Sequence, residues 1–167
     1  AALRSFLNLV EEKGIFPKSI LIGGLGGAGK AVASYFSSHF IPKGSQVTCS
    51  SRKNNSLFCE SINANWIPWR DIEKELFNFD TFVNCTTVGT GELIKKSPIK
   101  ISSNSKLNYI YDIVYDPAQT ELLNLAEKNN VSFTNGLEMN LLQAARAFKL
   151  ASNIDYSENK IVEMMSS

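Results

Sequence analysis

The chain alternates short apolar runs with segments in which apolar residues recur every three or four positions. Continuous apolar runs are typical of buried strands, and the longer spacing is typical of amphipathic helices. Their alternation predicts an α/β fold, a Rossmann-like, doubly wound, parallel six-stranded sheet with helices on both faces and strand order 3-2-1-4-5-6. The predicted strands are 19–24, 46–51, 65–69, 80–86, 108–115 and 131–135.

Helices are predicted between these strands, and two of them show a clear apolar face. In the helix that starts at Gly27 and ends before Pro42 and Gly44, the helical spacing selects Val32, Tyr35, Phe36 and Phe40; in the helix over 137–151 it selects Leu141, Leu142, Ala145 and Phe148. The other predicted helices are 3–13, 55–63, 71–77 and 120–130. We expect one domain over 1–167, with a leading helix within 1–14 and a tail over 154–167 beside the sheet.

Two segments depart from this alternation. Pro68 interrupts the third strand, which places that strand at an edge of the sheet. The Ser-, Asn- and Lys-rich segment 95–106 is predicted to be an exposed connection.

Charge and composition narrow the partners. With 17 basic and 16 acidic residues the net charge is +1, so we expect small-molecule partners and no nucleic acid. Cys49, Cys59 and Cys85 lack a C-x-x-C spacing and are expected to be free thiols, and the single His39 cannot build a metal site by itself. No apolar run is long enough for a membrane span, so no membrane partner and a cytoplasmic location are expected.

A glycine-rich turn follows the first strand. The segment "IGGLGGAGKAVA" places Gly24, Gly26 and Gly29 at the spacing G-x-G-x-x-G between a strand and a helix. The start of that helix offers unpaired N–H groups to a phosphate. A tight turn without a nucleotide remains the alternative at this point.

The end of the second strand indicates which dinucleotide would bind. An NAD site usually has Asp or Glu about 20 residues after the glycines. Here Ser51, Arg52 and Lys53 occupy that position, and their charge suits a 2′-phosphate, so NADP(H) is favoured over NAD. A solvated basic turn is the alternative.

Five ordered motifs resemble the cofactor-binding half of the shikimate dehydrogenase family. They are "GGLGGAGKAVA", "SRK", "NCTTVG", "DIVYDPAQTELL" and "NGLEMNLLQAARAF", within 5–151. The resemblance implies an oxidoreductase that interconverts 3-dehydroshikimate and shikimate with NADP(H), on the route to chorismate and the aromatic amino acids.

The resemblance also assigns roles to individual residues. The diphosphate loop corresponds to Gly24, Leu25, Gly26, Gly27 and Ala28, and the clamp on the 2′-phosphate to Ser51, Arg52 and Lys53. The nicotinamide side corresponds to Asn84, Thr86, Val88, Ile113 and Gly136. The substrate-binding side chains of this half correspond to Tyr115 and Gln143. The family usually has a further basic residue at the position of Ser56, so a weaker clamp is expected here, with Lys53 as the substitute for that residue.

No catalytic residue is expected in this segment. The family's Lys and Asp pair belongs to a preceding substrate domain, and by the family spacing the position of the Asp is Ala2 here. A methyl group cannot exchange a proton. The chain is therefore expected either to be one domain of a longer enzyme, inactive alone, or to be a stand-alone NADPH-binding module or degenerate relative. A preference for quinate or a related cyclitol acid also remains open.

Overall fold

Six parallel strands form one sheet in the order β3-β2-β1-β4-β5-β6, in a computed structural model that describes residues 2–102, 104–152 and 156–165. The strands are β1 (Ser19–Gly23), β2 (Gln46–Ser51), β3 (Asn65–Pro68), β4 (Thr81–Asn84), β5 (Tyr109–Asp112) and β6 (Ser132–Thr134). All five pairings are parallel. The predicted fold class and strand order are confirmed.

Seven helices are present in the described part of the chain. They are α1 (Ala2–Lys13), α2 (Gly27–Phe40), α3 (Ser56–Ser61), α4 (Ile72–Glu75), α5 (Glu121–Lys128), α6 (Leu137–Ser152) and α7 (Glu158–Met165). Short 3-10 turns follow α2 and flank α4. Positions 154, 155, 166 and 167 of the expected tail lie outside the described residues.

The helices cover both faces of the sheet. Alternate residues of β1 point to opposite faces, so Ile20 and Ile22 join one apolar cluster and Leu21 joins the other. The first cluster packs α1, α2 and α6 against the sheet, and the second packs α4, α5 and the chain around Ile99. No helix of the described residues is long and apolar enough to cross a membrane.

Two expectations about exposure are wrong, and a third is confirmed only in part. Phe148 is 49% exposed and Tyr35 is 64% exposed, while Met139 lies in the core instead. A helical repeat leaves two adjacent stripes to choose from, and only the neighbouring helices decide which one is buried. The segment 95–106 is not exposed throughout, because Ile99 is buried in the second cluster.

The predicted strands β4 and β5 also extend too far. The observed β4 ends at Asn84 and the observed β5 ends at Asp112, two and three residues before the predicted ends. The residues that follow them form loops at the carboxyl edge of the sheet, where ligands bind in open parallel sheets.

Candidate functional site at the carboxyl edge of the sheet

The glycine turn lies at the point where the strand order reverses, since β1 pairs with both β2 and β4. Gly24 has φ +96° and its N–H donates to the Ser50 carbonyl at 2.8 Å. Gly26 caps α2, and the Lys30 N–H donates to the Gly26 carbonyl at 2.9 Å. The N–H groups of α2 that precede this first helical bond are therefore at the open end of the helix.

Glycine is suited to the positions of this turn for two different physical reasons. A Cβ at Gly29 would overlap the carbonyl oxygen of Gly24, and one at Gly24 would stand 2.9 Å from the backbone of Cys85. At Gly26 and Gly27 an added Cβ would meet nothing within 4 Å. Gly24 and Gly29 therefore allow close backbone packing. Gly26 and Gly27 are exposed and leave open space beside the start of α2 that a diphosphate can fill.

The turn after β2 presents two cations to solvent. Arg52 and Lys53 are both exposed. The Ser51 hydroxyl is buried and donates to the Lys53 carbonyl at 2.7 Å. It also accepts from Asn55 Nδ2 at 3.0 Å and from Trp66 Nε1 at 2.9 Å. Ser51 thus holds the shape of the turn, and the charged side chains beside it are the groups that face outward.

A hydrogen-bonded network connects the ends of β4 and β5. Asn84 is fully buried; its Nδ2 donates to Asp112 Oδ1 at 2.9 Å, and its Oδ1 accepts from the Thr86 hydroxyl at 2.7 Å and from the Thr86 N–H at 3.0 Å. The Thr86 hydroxyl accepts in turn from the Val88 N–H at 3.1 Å. The Asn84 Nδ2 also donates to the Val88 carbonyl at 3.3 Å. Asn84 therefore fixes the loop that carries Thr86 and Val88, and its side-chain hydrogen bonds are all made within the protein.

Asp112 anchors this network from β5. Its Oδ2 accepts from the Thr120 hydroxyl at 2.7 Å, and its Oδ1 accepts from the Val114 N–H at 3.1 Å in addition to Asn84. Complete burial raises the pKa of Asp112, and the three hydrogen bonds oppose that rise. The Asp112 carboxylate therefore connects the end of β4, the loop after β5 and the start of α5. Thr120 also caps α5, since its hydroxyl accepts from the Leu123 N–H.

Ile113 and Gly136 form a close contact next to this network. The Ile113 N–H donates to the Asn84 carbonyl at 3.1 Å, and the Gly136 N–H donates to the Val114 carbonyl at 3.0 Å. A Cβ at Gly136 would stand 2.6 Å from the Ile113 carbonyl carbon. The Gly136 carbonyl accepts from Asn140 N–H at 2.9 Å in the first turn of α6, which leaves it one further lone pair.

Gln143 lines a groove of about 570 Å³ between α1, α2 and α6. Ala28 lies in the same groove, so the structure brings the start of α2 and this α6 side chain to one surface. Arg4, Glu11 and Arg146 add charge to walls that are otherwise largely apolar. Tyr115 follows β5 and is 47% exposed, on the same edge of the sheet but outside the residues that line this groove.

Apart from Gln143, which lies on α6 in the groove, the predicted site residues fall at three places along one edge. These are the glycine turn, the basic turn after β2, and the loops after β4, β5 and β6. Asp112, Thr120 and Trp66 hold these places in shape and were not predicted as site residues from the sequence. The motif "DIVYDPAQT" contained a signal for the first two, since a carboxylate at the end of a buried strand needs nearby donors.

The sheet order, the glycine turn at the switch point and the polar carboxyl edge define a Rossmann-like protein, the α/β class that binds nucleotides at this edge. The chain is 34% identical over 169 residues to the shikimate dehydrogenase (NADP(+)) of Alkaliphilus metalliredigens, which covers 91% of this chain and 57% of that protein. The chain belongs to the shikimate dehydrogenase family and spans a little more than half the length of this relative.

Two solved structures share the fold over nearly the whole chain. A shikimate 5-dehydrogenase from Listeria monocytogenes in complex with shikimate and NAD has a TM-score of 0.73 and 24% identity, over 98% of this chain and 62% of its own. A quinate dehydrogenase from Corynebacterium glutamicum in complex with NAD has a TM-score of 0.74 and 22% identity, over 99% and 62%. No protein-family model matches the chain.

Proposed function

We propose that this chain is the NADP(H)-binding part of a shikimate dehydrogenase-like oxidoreductase, which converts 3-dehydroshikimate, NADPH and a proton to shikimate and NADP⁺ in the route to chorismate. The observation that carries the cofactor assignment is the pairing of an open glycine turn with Arg52 and Lys53 after β2, where an NAD site would place a carboxylate. The relative from Alkaliphilus metalliredigens is named for NADP(+), which supports the same assignment.

The residues of the edge fit the parts of NADP(H) in sequence. The first N–H groups of α2 would hold the diphosphate at Gly26 and Gly27, where the missing side chains leave room. The Arg52 guanidinium would donate two hydrogen bonds to the 2′-phosphate, and Lys53 would supply a second positive charge. Ser51 would contribute indirectly, since its hydroxyl fixes the turn.

The loops after β4, β5 and β6 would hold the nicotinamide end. The nicotinamide, when bound, supplies or accepts the hydride. The loop fixed by Asn84 would support the ribose through Thr86 and Val88, Ile113 would pack against the ring, and the Gly136 carbonyl would receive the carboxamide with its remaining lone pair.

Substrate binding and proton transfer divide between this chain and another domain. We assign Tyr115 and Gln143 to hydrogen bonds with the substrate, as the family resemblance implies. Both side chains are exposed, Tyr115 after β5 and Gln143 on α6. The position of the family's acidic residue is Ala2, so the proton must come from groups outside these residues. We therefore propose that these 167 residues bind NADPH and do not turn over shikimate by themselves.

A titration of the purified chain with NADPH and with NADH, followed by nicotinamide fluorescence, tests the cofactor assignment. We expect NADPH to bind more tightly, and Arg52→Ala to weaken NADPH by roughly 10- to 100-fold, the value of a hydrogen bond to a charged group. Lys128→Ala is the matched control, since that exposed cation ends α5 at the opposite edge of the sheet. Equal affinities for the two cofactors, or an Arg52→Ala variant that binds normally, would rule out the 2′-phosphate clamp.

An activity assay tests whether the isolated chain is an enzyme or a binding module without catalysis. The family has an acidic residue where this chain has Ala2, which favours a binding module for this chain considered alone. The chain is incubated with NADP⁺ and either shikimate or quinate, and NADPH formation is followed at its absorbance band. No product is expected with either acid, and turnover by the isolated chain would contradict the proposed division of labour. The same assay on a protein that also carries the family's substrate domain would show which acid it prefers.

A further inference from the structure

Lys30 carries a positive charge from α2 toward α3, the helix that follows the basic turn. Its ammonium lies 5.2 Å from the centroid of the Phe58 ring, a cation–π distance. Lys30 makes the first helical hydrogen bond of α2, one turn after the glycines, and Phe58 lies on α3. The ammonium therefore bridges the element that begins at the proposed diphosphate site and the element that follows Arg52 and Lys53.

The Lys30 charge also lies close enough to α3 to act on a thiol of that helix. A hydrogen bond with Cys49 lowers the pKa of Cys59, against the effect of burial, and the Lys30 charge lowers it further. Cys59 is the residue after Phe58 and is buried in the first apolar cluster. The Lys30 charge is thus held next to α3 instead of extending freely from α2.

Arg52 and Lys53 are the charged residues of the basic turn over 51–56. The Ser51 hydroxyl is already occupied by three hydrogen bonds, and Ser56, at the start of α3, has no charge. A phosphate monoester carries a charge of about −1.5 to −2 at pH 7 and three acceptor oxygens. Arg52 and Lys53 together balance that charge, and a third cation would supply a further donor to its oxygens. Lys30 reaches the space beside Phe58, two residues after Ser56, from the side of the diphosphate site.

We propose that Lys30 is the third cation of the 2′-phosphate site and a determinant of the preference for NADP(H) over NAD(H). In this assignment the contact with Phe58 is the position of the ammonium without ligand, and the flexible side chain moves to the phosphate when the nucleotide binds. The assignment rests on the proposed function. A contact with the diphosphate is the alternative, and it predicts no discrimination between the two cofactors.

The test compares Lys30→Met with the unaltered chain, in titrations with NADPH, NADH and adenosine 2′,5′-bisphosphate. Methionine keeps the apolar contact with Phe58 and removes the charge. We expect NADPH and the bisphosphate to bind roughly tenfold more weakly, as for the loss of one charge-assisted hydrogen bond, and NADH to change less than about twofold. Lys30→Arg should restore most of the affinity, and Lys128→Met should change none of the three.

The outcomes distinguish this inference from the proposed function. Equal losses for NADPH and NADH would assign Lys30 to the diphosphate, and no loss for either would leave it as a surface lysine on Phe58; both results overturn the inference and leave the proposed function intact. An unaltered chain that binds neither NADPH nor the bisphosphate overturns both. Thermal unfolding of each variant checks that the fold is retained.

Discussion

Gly29→Ala and Gly27→Ala should change stability in opposite directions although both lie in the first turn of α2. In a helix alanine is better than glycine by about 1 kcal/mol, because glycine loses more backbone entropy on folding. At Gly27 an added Cβ meets open space, so we expect Gly27→Ala to raise the free energy of unfolding by up to about 1 kcal/mol.

At Gly29 the added Cβ overlaps the backbone of β1's end. It would collide with the Gly24 carbonyl oxygen, stand 2.9 Å from the Gly24 carbonyl carbon and lie 3.2 Å from the Cys85 Cβ. None of these atoms belongs to the far end of a flexible side chain, so either α2 or the glycine turn must move. Overpacking costs about 1 to 3 kcal/mol or more, which exceeds the gain in helix propensity.

Urea unfolding of the two variants measures both terms in one helix. We expect Gly29→Ala to lower the free energy of unfolding by about 2 kcal/mol, an overpacking cost at the upper end of the range, about 3 kcal/mol for a backbone collision, less the propensity gain of about 1 kcal/mol, with an unchanged denaturant slope. NADPH affinity should also fall in Gly29→Ala, since the turn is displaced. If both variants were equally stabilised, the close approach of α2 to β1 would be refuted, and with it the packing reason for this glycine.

Two further predictions concern buried polar groups of β5. Tyr109 and Tyr111 are both fully buried against Phe6, but only Tyr109 has a hydrogen-bond acceptor among the described residues, the Ile15 carbonyl at 2.7 Å. In urea unfolding Tyr109→Phe should therefore cost about 1 kcal/mol, whereas Tyr111→Phe should be neutral or stabilising, and equal losses would contradict this. The pKa of Asp112 is raised, so above its unfolded value near 3.9 the folded state binds more protons, and stability due to this group falls as pH rises through the folded pKa. Asp112→Asn can keep the Asn84 and Val114 bonds on one oxygen and donate to Thr120, so its free energy of unfolding relative to the unaltered chain should increase from pH 4 to pH 7; a constant difference would contradict the raised pKa.

The strands and their order could be predicted from the sequence because strand formation depends on neighbouring residues. Strand β1 is a short, largely apolar run, and right-handed crossovers leave few ways to order six parallel strands. Gly24 and Gly29 were also readable, since their spacing reflects one turn of backbone between a strand and a helix. Phe148 was misassigned because its exposure depends on which neighbours cover α6, and those neighbours are distant in sequence.

The supporting residues of the site were not readable for the same reason. Trp66 donates to Ser51 from 15 positions away, and Asn84 donates to Asp112 from 28 positions away. No spacing rule connects such pairs, because the sheet register alone brings them together: Asn84 is directly opposite Asp112 in the pairing of β4 with β5. The charge of Lys30 near Phe58 likewise depends on how α2 and α3 pack.

The two ends of the proposed cofactor site differ in how they are prepared for a ligand. At the nicotinamide end, Asn84, Thr86 and Asp112 have their hydrogen bonds satisfied within the protein, so the loops are held in place before any ligand arrives. At the adenosine end, Arg52 and Lys53 are exposed side chains that must lose rotamer freedom on binding. A change at the first end should therefore alter the geometry and stability of the domain together, whereas a change at the second should alter affinity with little effect on unfolding. The Asp112 and Arg52 variants measured side by side would separate positioning from binding in this edge of the sheet.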